Sequence, residues 1–390
     1  MIDYDKIIPD VVKGIKPSGI RRFFDIASEL EGVISLGVGE PDFPTPWAVR
    51  KTAIKTLEKG KTVYTANSGL IELRQAISAY LNRRFKLEYN PKNEMIVTVG
   101  GSEAIDLGIR ALIQPGDEVL IVEPCFVCYG PLVELAGGIP VSIETKEEDN
   151  FKLTAKALKE KITEKTKVLI LPYPNNPTGA VMKREDLEPI AEVLRETNII
   201  VISDEIYCEL TYGFEHTSIA ALDGMRERTL LINGFSKSYA MTGWRLGYVA
   251  GPAPIISQML KLHQYAIMCS PTVSQYAAIT ALNECDDEVK KMAAEYDLRR
   301  KLCVDGFNRM GLSCFNPEGA FYVFPSIKST GLSSEEFCTR LVNEYKVAVV
   351  PGNAFGKSGE GYVRVSYAYS IKHIIEALKR IEMFLDSLKK

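Results

Sequence analysis

Histidine is scarce: among 390 residues only His216, His263 and His373 occur, each isolated in sequence. A nucleophile relay built on histidine is therefore disfavoured, as is a zinc site, which needs about four ligands. Cysteine is thinly spread. The eight cysteines form no dense framework, and the single C-x-x-C pair, Cys125 and Cys128, has no second pair to complete a metal knuckle. They read as reduced thiols filling core space. Charge of one sign is missing too. A balance of 47 basic against 50 acidic residues leaves a net charge of −3, so there is no basic field for nucleic acid or an anionic membrane. No apolar run approaches the roughly 20 residues of a membrane span. The first residues, mixed and acidic through Gly14, do not read as a secretory signal, and the expected setting is the cytoplasm. Low-complexity tracts and fixed-period repeats are absent as well.

What remains is an ordinary globular composition, 46% apolar and 25% charged, in a chain long enough for two domains. Its middle alternates short apolar runs with amphipathic segments. Runs at 95–99 (MIVTV), 118–122 (EVLIV), 167–171 (KVLIL), 199–203 (IIVIS) and 229–232 (TLLI) suit strands buried on both faces. Helical patterns cover 103–113 and 184–196. The expectation is an α/β fold, a mostly parallel sheet covered by helices. The last third differs: a helix over 287–310, apolar runs at 319–323, 347–350 and 362–367, and a final helix over 371–388 predict a smaller α+β domain. The boundaries expected are an N-terminal segment 1–46 packing on the small domain and cleft, a large domain 47–285 and a small domain 286–390.

In an open parallel sheet, ligands bind beyond the carboxyl ends of the strands. Four of the predicted strands end in polar strings. The first runs into Gly100-Gly101-Ser102-Glu103, which taken alone is a glycine turn with a serine cap, and in company is an anion seat at a helix start. Others deliver Asn175-Asn176-Pro177-Thr178-Gly179, Asp204-Glu205-Ile206-Tyr207, and Ser236-Lys237 followed by Arg245. Each has a bland explanation as a turn, a cap or a surface charge. Their meeting at one rim of one sheet does not.

With Gly37-Val38-Gly39-Glu40-Pro41-Asp42-Phe43, Tyr64-Thr65-Ala66-Asn67-Ser68-Gly69 and Arg364-Val365-Ser366-Tyr367-Ala368, these strings resemble the class I/II aminotransferases of fold type I, over nearly the whole chain. The resemblance implies pyridoxal 5'-phosphate as cofactor, an aldimine on Lys237, and ping-pong transfer of an amino group between an L-amino acid and a 2-oxo acid. It implies Asp204 at the pyridine nitrogen, where its charge keeps the ring protonated. Tyr207 and Asn176 would bond the phenolic oxygen, and Phe126 would stack on the ring where many relatives carry tryptophan or tyrosine. Gly101, Ser102, Glu103, Ser236 and Arg245 would hold the phosphate. Gly39 and Arg364 would meet the substrate carboxylate, the arginine as a bidentate fork. Tyr64 resembles the tyrosine that reaches a neighbouring subunit's phosphate, implying a homodimer with shared sites. The string from Lys16 to Arg21 resembles the segment that folds over the site. One departure stands out: many relatives have a phosphate-binding serine where this chain has Gly234.

The same scaffold supports a C–S lyase acting by β-elimination, because fold does not determine reaction. A ligand-sensing regulator on this fold would need a DNA-binding segment, for which the sequence shows none. A specialist for aspartate or glutamate would want a second cation for the distal carboxylate, and Arg21 and Arg22 are the candidates.

Overall fold

Seven strands form the central sheet of the computed structural model, which describes residues 2–17, 19–20 and 30–389. Their order is Met95–Thr98, Gly247–Ala250, Thr229–Gly234, Ile200–Asp204, Thr166–Leu171, Glu118–Glu123 and Ile139–Glu144. Gly247–Ala250 runs antiparallel to both neighbours, and the other pairings are parallel. The continuous apolar runs behave as expected: Met95–Thr98 and Thr229–Gly234 are buried along their whole length. Two strands were not foreseen. Ile139–Glu144 lies half-exposed at the sheet edge, where Pro140 and Ser142 are tolerated and break the apolar run. Gly247–Ala250 is only four residues long and opens on a glycine.

Helices cover both faces because each presents one apolar stripe. Gly101–Leu112 buries Ala104, Ile105, Leu107, Gly108 and Ile109. It lies so close to the sheet that a Cβ on Gly108 would come within 3.3 Å of Ile202 and Leu230. Leu187, Ile190, Ala191 and Leu194 of Arg184–Arg195 pack with Leu120, Leu169 and Val201 into another apolar cluster. Further on, Val350–Pro351, Val363–Ser366 and Tyr322–Val323 form a three-stranded antiparallel sheet. Asp286–Arg309, Ser334–Tyr345 and Ile371–Leu388 pack around it in one apolar cluster. Near the start of the chain, Ile34–Ser35 pairs in parallel with Val347–Ala348. That pairing carries the following loop, with Gly37 and Gly39, to the rim of the central sheet.

Candidate active site

At the carboxyl ends of the parallel strands lies a cavity of about 380 Å³. Gly39, Gly101, Ser102, Phe126, Asn176, Asp204, Tyr207, Ser236, Lys237, Arg245 and Arg364 all line it. The sequence thus brings together residues from both ends of the chain and from the ends of five strands.

Lys237 follows the strand Thr229–Gly234, and its Nζ donates to the Gly39 carbonyl at 2.6 Å. Burial lowers its pKa to about 8; Glu40 and Asp204 oppose the shift, while Arg364 and Arg245 add to it. A substantial neutral fraction near physiological pH is what an amine nucleophile needs. Asp204 ends the neighbouring strand. Its Oδ2 accepts from Tyr129 Oη at 2.7 Å and its Oδ1 from the Ile206 N–H at 3.2 Å. Burial nevertheless pushes its pKa up, with those two donors opposing. A cation brought into the cavity beside this carboxylate would favour its charged form.

Arg364 is 2% exposed and lies between aromatic rings, its guanidinium 4.5 Å from the Tyr322 centroid and 4.8 Å from that of Phe355. Its Nη1 donates to Asn176 Oδ1 at 2.9 Å and its Nη2 to the Gly37 carbonyl. Its Nε–H has no acceptor, and no carboxylate pairs with it among the described residues. A buried cation without a counter-ion is costly and marks a place for an anion. Because Asn176 Oδ1 is engaged by the arginine, its Nδ2 is the group left to donate.

The anion seat is made of main chain. Gly100, at φ +82°, precedes the helix Gly101–Leu112, whose first N–H groups have no side-chain cap. Ser102, Ser236 and Arg245 surround it. Arg245 reaches back to Val99 O at 3.4 Å, and a Cβ on Gly100 would stand 2.7 Å from its Nη2. Beneath, Gly247 pairs with Gly234 and lies against the Gly100–Gly101 backbone. Gly234 is tightly enclosed: an added Cβ would meet Gly247 Cα, Ile206 Cδ1 and Leu246 O at 3.0 Å each. That packing favours glycine at this position. Gly247→Ala is expected to destabilise the protein by at least about 1–3 kcal/mol, since its Cβ would come within 2.6 Å of Gly100 C. Gly130→Ala, which meets nothing within 4 Å and lies in the helix Tyr129–Leu135, should leave stability unchanged or raise it by up to about 1 kcal/mol; thermal unfolding of the two variants makes the comparison.

Two of the predicted residues are not at the cavity. Glu103 turns its carboxylate away, accepting from the Val99 N–H and bonding His263 Nδ1 at 2.7 Å, so only its backbone is left for an anion. Tyr64 is 79% exposed on the outer surface. It belongs to a set of exposed apolar side chains with Val63, Trp47, Leu57, Tyr265 and Met268. Asn67 ties the Tyr64 loop to Met268 O at 2.8 Å, and Thr272 ties it to Val63 O at 2.7 Å. Of the predicted covering segment, Ile20 lines the cavity, while Ser18 and Arg21 lie outside the described residues, as does Arg22, the other candidate for a distal carboxylate. The sequence reading missed Tyr129 and Tyr322. Tyr129 stands three residues after Phe126, at the start of a helix, and Tyr322 lies in an aromatic run that reads as core.

Known proteins resemble the chain over nearly its whole length. The family model described as aminotransferase class I and II matches residues 31–381. YugH of Bacillus subtilis, which bears an aminotransferase name, is 56% identical over 97% of this chain and 98% of its own. An aspartate aminotransferase of Pyrococcus abyssi is 50% identical over 96% of this chain and 97% of its own. The crystal structure of an aromatic aminotransferase from Pyrococcus horikoshii superposes with a TM-score of 0.91 at 49% identity, covering 94% of this chain and 99% of the other.

Proposed function

Because the chain belongs to the class I and II aminotransferases, we propose that it moves an amino group from an L-amino acid to a 2-oxo acid in two half-reactions, using pyridoxal 5'-phosphate carried on Lys237. The observation that carries this reading is the cavity itself, in which an amine of lowered pKa, a buried carboxylate and a buried unpaired guanidinium face one another. The donor set suits the cofactor: an anion seat at a helix start, a buried carboxylate and an amine line one cavity. When bound, the cofactor supplies an aldehyde that takes up amines and a ring that draws electrons from the substrate α-carbon.

The protein's own groups do the rest. Lys237 Nζ would hold the cofactor and, when free, would serve as the general base for the α-proton. Asp204 would stabilise positive charge at the ring nitrogen, and Tyr129 orients that carboxylate. Tyr207 and Asn176 Nδ2 would donate to the phenolic oxygen. Gly101, Ser102, Ser236, Arg245 and the Glu103 backbone N–H would hold the phosphate, and Phe126 would cover the ring. Arg364 and Gly39 receive the substrate carboxylate, with Ile20 closing one side.

The relatives are named for aspartate and for aromatic amino acids, and those are the donor classes proposed to be tried first. The exposed side chains of Val63 and Tyr64, on a loop tied to the segment that carries Met268 and Thr272, are proposed to meet a second copy in a homodimer with shared sites. The division at 46 and 285, and a cytoplasmic setting suited to eight unpaired thiols, belong to the same proposal. Among the described residues no helix is long and apolar enough to cross a membrane.

A donor alone should convert the cofactor to its amine form, and a 2-oxo acid should restore the original spectrum. Ammonia and pyruvate released from a cysteine-like donor, with no amine form, would point to β-elimination instead. Arg364→Leu is expected to lower catalytic efficiency for every amino acid by about 2–5 kcal/mol of transition-state stabilisation, with cofactor still bound. Steady-state kinetics over a donor panel checks this, and unchanged efficiency would remove the arginine from the carboxylate site.

A further inference from the structure

Tyr322 joins three parts of the cavity. It sits on the strand Tyr322–Val323, beside the strand that carries Arg364, and it is 1% exposed. Its hydroxyl is 2.9 Å from that of Tyr207, with the two rings edge-on at 5.9 Å. Its ring lies under the Arg364 guanidinium at 4.5 Å. A Cβ on Gly39 would be 2.3 Å from its oxygen, so a glycine there lets the hydroxyl approach the loop whose carbonyl takes Lys237 Nζ.

A tyrosine hydroxyl has one proton to give. In the two-tyrosine pair either oxygen can be the donor. Once Tyr207 gives its proton to an oxygen in the cavity, the bond between the tyrosines has to be donated by Tyr322. We propose that Tyr322 is a positioning residue that acts through Tyr207, its hydroxyl orienting and polarising the Tyr207 hydroxyl toward the cofactor's phenolic oxygen. This rests on the function proposed above. Linked donors strengthen one another, so Tyr207 with Tyr322 behind it is a better donor than Tyr207 alone.

The sign of the effect follows. When the linkage at Lys237 loses its proton, more negative charge remains on the phenolic oxygen, and the donor chain stabilises that charge. Removing the Tyr322 hydroxyl should make the linkage hold its proton to higher pH. The charged groups facing Lys237 are Glu40, Arg364, Arg245 and Asp204, and Tyr369 stands near Tyr322 and Arg364. None of them is altered by Tyr322→Phe, which also keeps the ring under Arg364.

The experiment is a spectral pH titration of the protein loaded with pyridoxal 5'-phosphate, without substrate. Tyr322→Phe should raise the midpoint by about half a unit to one unit. Tyr207→Phe should raise it further, and adding Tyr322→Phe to that variant should change nothing more. An unmoved midpoint in Tyr322→Phe, or the same shift with and without Tyr207, would overturn the inference. So would an effect confined to KM for the amino acid, which would put the hydroxyl on the substrate carboxylate. If wild-type protein carries no borohydride-reducible cofactor at Lys237, the proposed function fails and takes this inference with it. If wild type titrates normally and Tyr322→Phe does not shift it, only the inference fails.

Discussion

Lys237→Ala is expected to lower turnover by at least about 10⁴-fold and to abolish the borohydride-reducible attachment of the cofactor. Among the described residues lining the cavity it is the only lysine, and a guanidinium has no amine lone pair to offer. Loss of this one amine removes both the group that would hold the cofactor and the base that would move the α-proton. The phosphate seat, Asp204 and Phe126 are untouched, so the variant should still bind the cofactor non-covalently. Borohydride reduction followed by peptide mapping reads the attachment, and single-turnover spectra read the proton transfer. A reducible linkage found on another lysine would refute the assignment.

Mixing two inactive variants should restore activity. Lys237→Ala should be inactive alone, and Tyr64→Glu should be nearly so, because it would set a negative charge against the phosphate of the neighbouring site. Tyr64 lies on the outer surface and not in the cavity of its own chain, which is the geometry a cross-subunit contact requires. In a hybrid dimer one site would then carry both lesions and the other neither. Activity should rise to about half the wild-type value per hybrid if the sites act independently. With hybrid formation confirmed, no recovery would mean that each site is built from one chain.

How far the sequence discloses this site depends on what each residue faces. The strands at 95–99, 167–171, 199–203 and 229–232 could be read because both their faces are buried, which leaves an unbroken apolar run. The edge strand Ile139–Glu144 faces solvent along part of its length, so its pattern is mixed. The polar strand ends stood out because polar groups at the rim of a buried sheet need a reason. Tyr129 and Tyr322 did not, since a tyrosine in an apolar stretch has the appearance of core whether or not its hydroxyl serves Asp204 or Tyr207. Glu103 sits in the right string, yet its carboxylate bonds Val99 N–H and His263, and a carboxylate has little reason to face an anion. At Gly234 the departure was visible, but its cause is a strand-to-strand approach that only coordinates reveal.

The span of the chain that the cavity draws on has a consequence for biosynthesis. Arg364 bonds the Gly37 carbonyl across 327 positions, and Ile34–Ser35 pairs with Val347–Ala348, whereas the central sheet is built from Met95 to Ala250. On the ribosome the sheet, with its amine and its carboxylate, emerges well before the guanidinium does. The loop around Gly39, though made first, has to wait for the last strands before it finds its partner. Contacts of such long sequence separation form late because loop closure is costly. A nascent or truncated chain ending before Val347 would therefore present the half of the cavity proposed to hold a cofactor without the half proposed to grip a substrate, and early capture of the small molecule would stabilise that unfinished intermediate.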